Sequence, residues 1–295
     1  MIRVMVGDRD ITDYVVSAEW SGSLDQVART LSVELLEVAP ELGDPVTLAL
    51  DGKTLFQGFV MYAGREGESR SLEAMDRGVY LANNAVYKEY SGTPQAVARQ
   101  VCAEFGVDVG RLEQRPDVVK VTSTGSLSAY QAIEQAYEGE DFRRRQYVIR
   151  MDGAALCVER VGADVVAAVR DGIESSRQTY SLKGMVNRVV ILDADGKKAA
   201  GTVENAGDRS QYGTFQATYQ TQKDKNAAEE ARKALRGVEQ TAKVVAQGLP
   251  ACVAGKAVQL EHAASGLTGT YAISADAHVW TAGGYTMTLE LYFGT

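Results

Sequence analysis

The sharpest catalytic candidate in this chain is the run Glu138-Gly139-Glu140-Asp141, because glycoside cleavage needs two carboxyl groups held in different environments. Such a pair becomes an acid and a base only inside a cleft that raises one of the two pKa values. The local pattern supplies a plainer reading: a charged helix end that runs into a loop, with Gly139 as the stop signal. The neighbouring Arg143-Arg144-Arg145 reads as a solvated or interface patch rather than a nucleic-acid site.

Other reactive residue types are sparse. His262 and His278 are the only histidines, and neither lies near a cysteine cluster, so an imidazole-rich metal centre has little to build on. For His278, just before Val279-Trp280, a structural hydrogen-bonding role is the expectation. Cys102, Cys157 and Cys252 are widely separated and odd in number, which predicts buried free thiols. Gly52-Lys53-Thr54 has the ending of a phosphate-binding loop, but Thr47 stands where the first glycine should be and no helix follows. Neither a Gly-x-Ser-x-Gly elbow nor a dinucleotide fingerprint occurs. No catalytic, cofactor-binding or metal-ligating residue is therefore assigned, no cofactor is expected, and the protein is expected not to be an enzyme.

A chain of 295 residues is long for one domain and comfortable for two or three. Its 29 glycines against 5 prolines favour many tight turns and a lean toward β structure. Lys plus Arg total 31 against 39 for Asp plus Glu, a formal charge of −8, which argues against a surface built to neutralise phosphates. An acidic wall can still serve nucleic acid by repelling it, as in a pore through which DNA passes without sticking. The chain starts directly on strand-like Ile2-Arg3-Val4-Met5-Val6, without a basic segment and apolar run, and no stretch approaches the roughly 20 apolar residues of a membrane span. Folding in a cytoplasm, without membrane insertion, is the expectation.

Three modules are expected to position whatever function there is: residues 1–88, 89–172 and 173–295. In the first, Leu31, Val33 and Leu35 alternate with polar neighbours, as do Val46, Leu48 and Leu50, and Asp51-Gly52 suits a two-residue hairpin turn. In the second, Thr93 and Pro94 open a helix with Val97, Val101 and Phe105 on one face and Gly106 as its stop. Ser128 and Gln131 form a capping box for a helix with the stripe Tyr130, Ile133 and Tyr137. The hairpin 146–159 turns at Asp152-Gly153. The third module carries strand Asn187–Ile191, a polar run 193–210 expected to be an exposed loop or mobile hairpin, and a helix over 226–235 capped by Asn226. Its closing strands include Tyr285, Met287, Leu289, Leu291 and Phe293 on one face. The fold class is α+β, mostly β.

Four stretches resemble, in order, the baseplate hub proteins of contractile phage tails, the family that includes the late control D type. They are Gly7-Asp8-Arg9-Asp10-Ile11-Thr12-Asp13-Tyr14 with Ser17-Ala18-Glu19-Trp20, then Met185-Val186-Asn187-Arg188-Val189-Val190-Ile191. Ser210-Gln211-Tyr212-Gly213 is the third, and the closing hairpin Gly266–Ile273 through His278 to Tyr285–Phe293 is the fourth. The resemblance implies two tube-like antiparallel β-barrel modules flanking a middle α+β module. It implies a homotrimer that presents six similar units around a channel, joining a sixfold tail tube to a threefold spike.

The implied partners are a tail tube protein, a central spike protein and a small wall-binding adaptor, with DNA only as passing cargo. The implied location is the tail baseplate after assembly in the host cytoplasm, in a phage, a prophage or a headless tailocin. Because little follows Phe293, a lytic domain or puncturing tip is expected on a separate chain. The competing reading is a peptidoglycan-binding or peptidoglycan-hydrolysing tail-associated protein whose middle module supplies the groove. A nucleic-acid binder is a third reading, disfavoured by the acidic balance.

Overall fold

The computed structural model describes residues 1–139, 145–223 and 225–293. It is mostly β, with several sheets and few helices. The first seven strands are β1 (Ile2–Val6), β2 (Arg9–Asp10), β3 (Val15–Ser23), β4 (Thr30–Leu36), β5 (Pro45–Leu50), β6 (Lys53–Glu66) and β7 (Ser69–Asp76). Alternation along β4 becomes alternation of burial: Leu31, Val33 and Leu35 are buried while Ser32 and Glu34 are exposed. Asp51 (φ 48°) and Gly52 (φ 83°) both take left-handed backbone, so β5 and β6 join through the two-residue turn that favours this pair, and Gly52-Lys53-Thr54 is hairpin rather than phosphate loop.

The middle of the chain supplies α1 (Gly78–Asn83), β8 (Ala85–Val86), β9 (Glu89–Gly92), α2 (Pro94–Glu104), β10 (Asp108–Leu112), β11 (Val119–Thr122), β12 (Leu127–Ser128), α3 (Ala129–Glu138), β13 (Tyr147–Asp152) and β14 (Ala155–Arg160). Helix α3 starts at the expected capping box, with Ser128 accepting from Gln131 N and the Gln131 side chain accepting from Ser128 N. Helix α2 starts where expected, but the Thr93 side chain makes no capping hydrogen bond; Pro94 at the first helical position sets the start instead. Val97, Val101, Ile133, Tyr137, Ile149 and Leu156 share one core.

Next come β15 (Val165–Val169), β16 (Ile173–Ser181), β17 (Arg188–Leu192), β18 (Ala199–Glu204), α4 (Ala206–Tyr212), β19 (Gln216–Gln220), α5 (Ala227–Lys233) and β20 (Glu239–Gln247). Strands β17, β18 and β19 form a separate three-stranded sheet, with β17 central, antiparallel to β18 and parallel to β19. The polar run 193–210 takes the hairpin form of the two expected: it holds the turn and second strand of the antiparallel β17–β18 pair, and beyond them the start of helix α4, which the sequence pattern did not predict. Asn205 caps α4 by accepting from Asp208 N, which organises a segment that has almost no apolar periodicity. Asn226 caps α5 as expected, and Ala231 of α5 packs against Val189 and Ile191.

By contact density the chain divides into two compact units: Met1–Arg177 with Lys243–Tyr292, and, separately, Gln178–Ala242. In the first unit β21 (Ala257–His262), β22 (Leu267–Thr281) and β23 (Gly284–Tyr292) close the chain. Strand β22 changes partner partway along one edge. Its residues 267–272 pair with β21, which in turn pairs with β15 in parallel, and its residues 275–281 pair with β3. The register against β23 slips between Ile273 and Ala275, a bulge at the changeover. Met287, Leu289 and Leu291 point into the core as the sequence pattern predicts. The N-terminal and closing strands are thus neighbours in one sheet.

Candidate functional site

The most concentrated buried polar chemistry lies beside this changeover. Alternation places Asp276, His278 and Trp280 of β22 on the face opposite Val279, and the β3 pairing sets Trp20 against His278. Arg29, which precedes β4, reaches Asp276 with both terminal nitrogens, Nη1 donating to Oδ1 at 3.0 Å and Nη2 donating to Oδ2. Ala254 N donates to Asp276 Oδ1 at 2.6 Å. Arg29 also lies 4.0 Å from the Trp20 ring centroid, a cation–π contact.

His278 is fully buried. Its Nε2 is 3.1 Å from Cys252 O and 3.3 Å from Asp276 Oδ2, two acceptors, which assigns the proton to Nε2. Nδ1 then accepts from the Tyr285 hydroxyl at 2.9 Å. Tyr285 stacks on Trp280 with centroids 4.5 Å apart and 15° between planes. Burial opposes ionisation of Asp276, but the Arg29 guanidinium and the His278 hydrogen bond hold its carboxyl below the ordinary range. At the end of β7, Asp76 accepts from Arg29 N at 3.0 Å and Gly78 N at 2.9 Å, and burial pushes it up to about 7. This cluster ties three segments together: the bulged strand β22, the approach to β4, and the loop 252–254. Sequence spacing pointed to His278 but to neither Arg29 nor Asp276.

A second ionic cluster surrounds Glu159 of β14. Arg111, Arg150 (3.1 Å) and Lys256 (2.8 Å) all reach its carboxylate, and Lys256 and Arg111 also reach Asp164, at 2.7 and 3.4 Å. They line a cavity of about 650 Å³. A more apolar cavity of about 850 Å³ is lined by Ile2, Val15, Leu50, Pro250, Trp280 and Tyr285 among others. Asp276 and His278 line neither.

The carboxylate candidate comes apart in the structure. Glu138 Oε1 accepts from Gln146 N and Tyr147 N, both at 2.7 Å, so this side chain fastens the start of β13 to the end of α3. Burial raises its pKa, against the pull of those two amides. Glu140 and Asp141 lie outside the described residues, as do Arg143 and Arg144. Arg145 is not a solvated patch: its guanidinium is packed against Glu134, Tyr130 (3.2 Å) and Asp25 (2.9 Å). His262 Nδ1 meets Ser265 Oγ at 2.8 Å. Cys102, Cys157 and Cys252 are buried and free, and burial pushes Cys102 and Cys252 up to about 12. Among the described residues no group of three or more His, Cys, Asp or Glu could hold a metal, and no helix is long and apolar enough to cross a membrane.

Two of the sequence motifs meet in the other unit. Asn187, fully buried, donates from Nδ2 to Gly213 O at 2.7 Å and accepts at Oδ1 from Phe215 N at 2.9 Å. Gly213 ends α4 at φ 82°, left-handed backbone that a side chain would strain. The stretch Ser210–Gly213 is therefore a helix end held by the asparagine of Met185–Ile191.

Known proteins share this architecture. The chain is 22% identical over 264 residues to the phage-like element PBSX protein XkdQ of Bacillus subtilis, covering 84% of this chain and 81% of the relative. The 43 kDa tail protein of prophage MuSo2 from Shewanella oneidensis superposes with a TM-score of 0.76 at 13% identity, over 99% of this chain and 96% of that one. A type VI secretion component of E. coli, described as structurally similar to the T4 bacteriophage tail proteins gp27 and gp5, superposes with a TM-score of 0.55 at 10% identity, over 99% of this chain and 76% of that one. These likenesses establish a fold shared with phage and prophage tail proteins. The profile of the YQBQ-like family matches residues 18–292, and the chain belongs to that family.

Proposed function

We propose that this protein is the structural hub subunit of a phage-type tail baseplate. Three copies form a ring that joins a sixfold tail tube to a threefold central spike and surrounds the channel. The observation that carries this reading is the partner change along β22, which gives one chain two sets of strands, one built on β3 and one on β21. Two such sets in each of three copies match the six units of a tube, while the ring itself keeps threefold symmetry. The fold shared with a type VI component described as similar to gp27 and gp5 supports the same placement.

The work of such a subunit is mechanical rather than catalytic. Strand edges and apolar strips are buried by neighbouring subunits, by the tube above, the spike below and a small wall-binding adaptor alongside. The protein is assembled in the host cytoplasm and ends in the tail baseplate, with DNA only as passing cargo. Cryo-electron microscopy of tail particles carrying a tagged copy tests this. Three copies at the junction of tube and spike are the expected result, and absence of the chain from intact particles overturns it.

A further inference from the structure

The cavity of about 650 Å³ around Glu159 gathers charges from segments far apart in the chain. Lys53 opens β6, Arg111 lies on β10, Arg150 on β13, Glu159 on β14, Asp164 just ahead of β15, and Lys256 just ahead of β21. These charges pair off almost completely. Arg111, Arg150 and Lys256 stand against Glu159, Asp164 and Asp152, the last 3.9 Å from Arg150. Arg29, also on the wall, is neutralised by Asp276. Lys53 is left over: it is exposed and makes no ion pair among the described residues. In a chain of formal charge −8, this cavity therefore carries one positive charge in excess.

The same walls hold donors that lack acceptors. Trp20 Nε1, Arg29 Nε and Arg150 Nε are buried without a hydrogen-bond partner among the described residues, and all three residues line this cavity. Trp20 and Arg29 are only 5% and 6% exposed. Asp276 takes both terminal nitrogens of Arg29, while Met151 O and Glu159 take those of Arg150, so each guanidinium keeps its Nε–H unused. Buried donors are nearly always paired, so a convergence of unpaired ones on one cavity marks a place for oxygen acceptors. Beside them Trp20, Leu55, Met151 and Val253 supply apolar wall.

We propose that this cavity binds a monocarboxylate: one carboxylate group on an apolar body, carried either by a small organic acid or by the end of a peptide chain. Its single negative charge balances Lys53, and its two oxygens accept from donors that the protein leaves unused. A phosphate dianion suits the cavity less well, because Asp152, Glu159 and Asp164 already stand on the wall and repel a second negative charge. The volume falls within the roughly 300–1,000 Å³ of small-molecule sites. The site lies wholly inside the first compact unit, so the proposal is independent of the hub reading.

Isothermal titration calorimetry of the purified full chain at neutral pH tests this with benzoate, its uncharged counterpart benzamide, and phenyl phosphate. Benzoate is expected to bind at one site, with benzamide and phenyl phosphate each at least about tenfold weaker. Equal binding of benzoate and benzamide, tighter binding of phenyl phosphate, or no benzoate binding up to about 20 mM overturns the proposal. Lys53→Gln changes an exposed side chain and leaves the packing intact. It is expected to weaken benzoate about fivefold, whereas Lys53→Arg retains it; unchanged affinity in Lys53→Gln overturns the proposal. Trp20→Phe keeps an aromatic ring but removes its donor, and is expected to weaken benzoate about threefold. Acetyl-phenylalanyl-valine, compared with its C-terminal amide, separates the two sources. Binding tighter than that of benzoate and lost in the amide assigns the peptide end, and binding weaker than that of benzoate assigns the small acid.

Discussion

Replacing Asp276 with alanine probes the buried cluster most directly. The substitution removes the acceptor of both Arg29 hydrogen bonds, of Ala254 N and of one His278 contact. Arg29, 6% exposed, is left as a buried cation without its partner. Breaking one side of a buried pair costs about 3–5 kcal/mol, and the orphaned Ala254 amide adds about 1–3 kcal/mol. Because neighbouring losses overlap, the expected total is about 4–6 kcal/mol, a large part of the roughly 5–15 kcal/mol that holds a typical domain together. Arg29→Met with Asp276→Leu removes both charges while keeping volume, and should recover to within about 2 kcal/mol of the parent. Both tryptophans of the chain, Trp20 and Trp280, sit in this cluster, so fluorescence-detected urea unfolding reports on it directly. A single alanine variant that loses under about 1 kcal/mol, or a double variant that loses the sum of the two singles, would refute the assigned coupling.

Asp76 binds its proton up to about 7 in the folded chain, well above its ordinary value, so the folded state holds the extra proton between about pH 4 and 7. Stability of the first unit should therefore fall as pH rises through that window, and Asp76→Asn should flatten the slope in urea titrations across it. Asp276, held low, acts in the opposite sense: its contribution is present above about pH 4 and is lost as pH falls below that, which acid unfolding of parent and Asp276→Asn would show. Asn187→Ala should cost the second unit about 1–2 kcal/mol, since it removes two part-buried hydrogen bonds, to Gly213 O and from Phe215 N; hydrogen exchange confined to residues 185–216 checks it. Leu289→Asp should unfold the closing strands, because it buries a carboxylate at a fully buried position, and native-like circular dichroism of that variant would refute the register.

Much of the local structure was legible from period and punctuation. The Asp51-Gly52 turn, the Ser128–Gln131 box, the Asn226 cap and the buried face of Met287, Leu289 and Leu291 each depend on residues within a few positions of one another, where backbone geometry and one hydrogen bond decide the outcome. The helix at the end of residues 193–210 escaped because α4 has no buried face and is organised by the polar cap of Asn205, a signal that resembles loop composition. Arg145 misled for a related reason: a run of three arginines reads as solvated surface, and only Glu134, Tyr130 and Asp25, brought from other elements, give its charge a place inside.

The candidate site divides the same way. The sequence by itself determined a mostly β chain, the faces its strands bury, and the caps of α3 and α5. The tertiary structure alone decided that β22 serves both β21 and β3 and that Arg29 meets Asp276 across 247 positions. A strand's own alternation fixes which side is buried but not which strand lies beside it. That choice is made by long-range register and by burial of charge, where a pair is tolerated only if both partners arrive together.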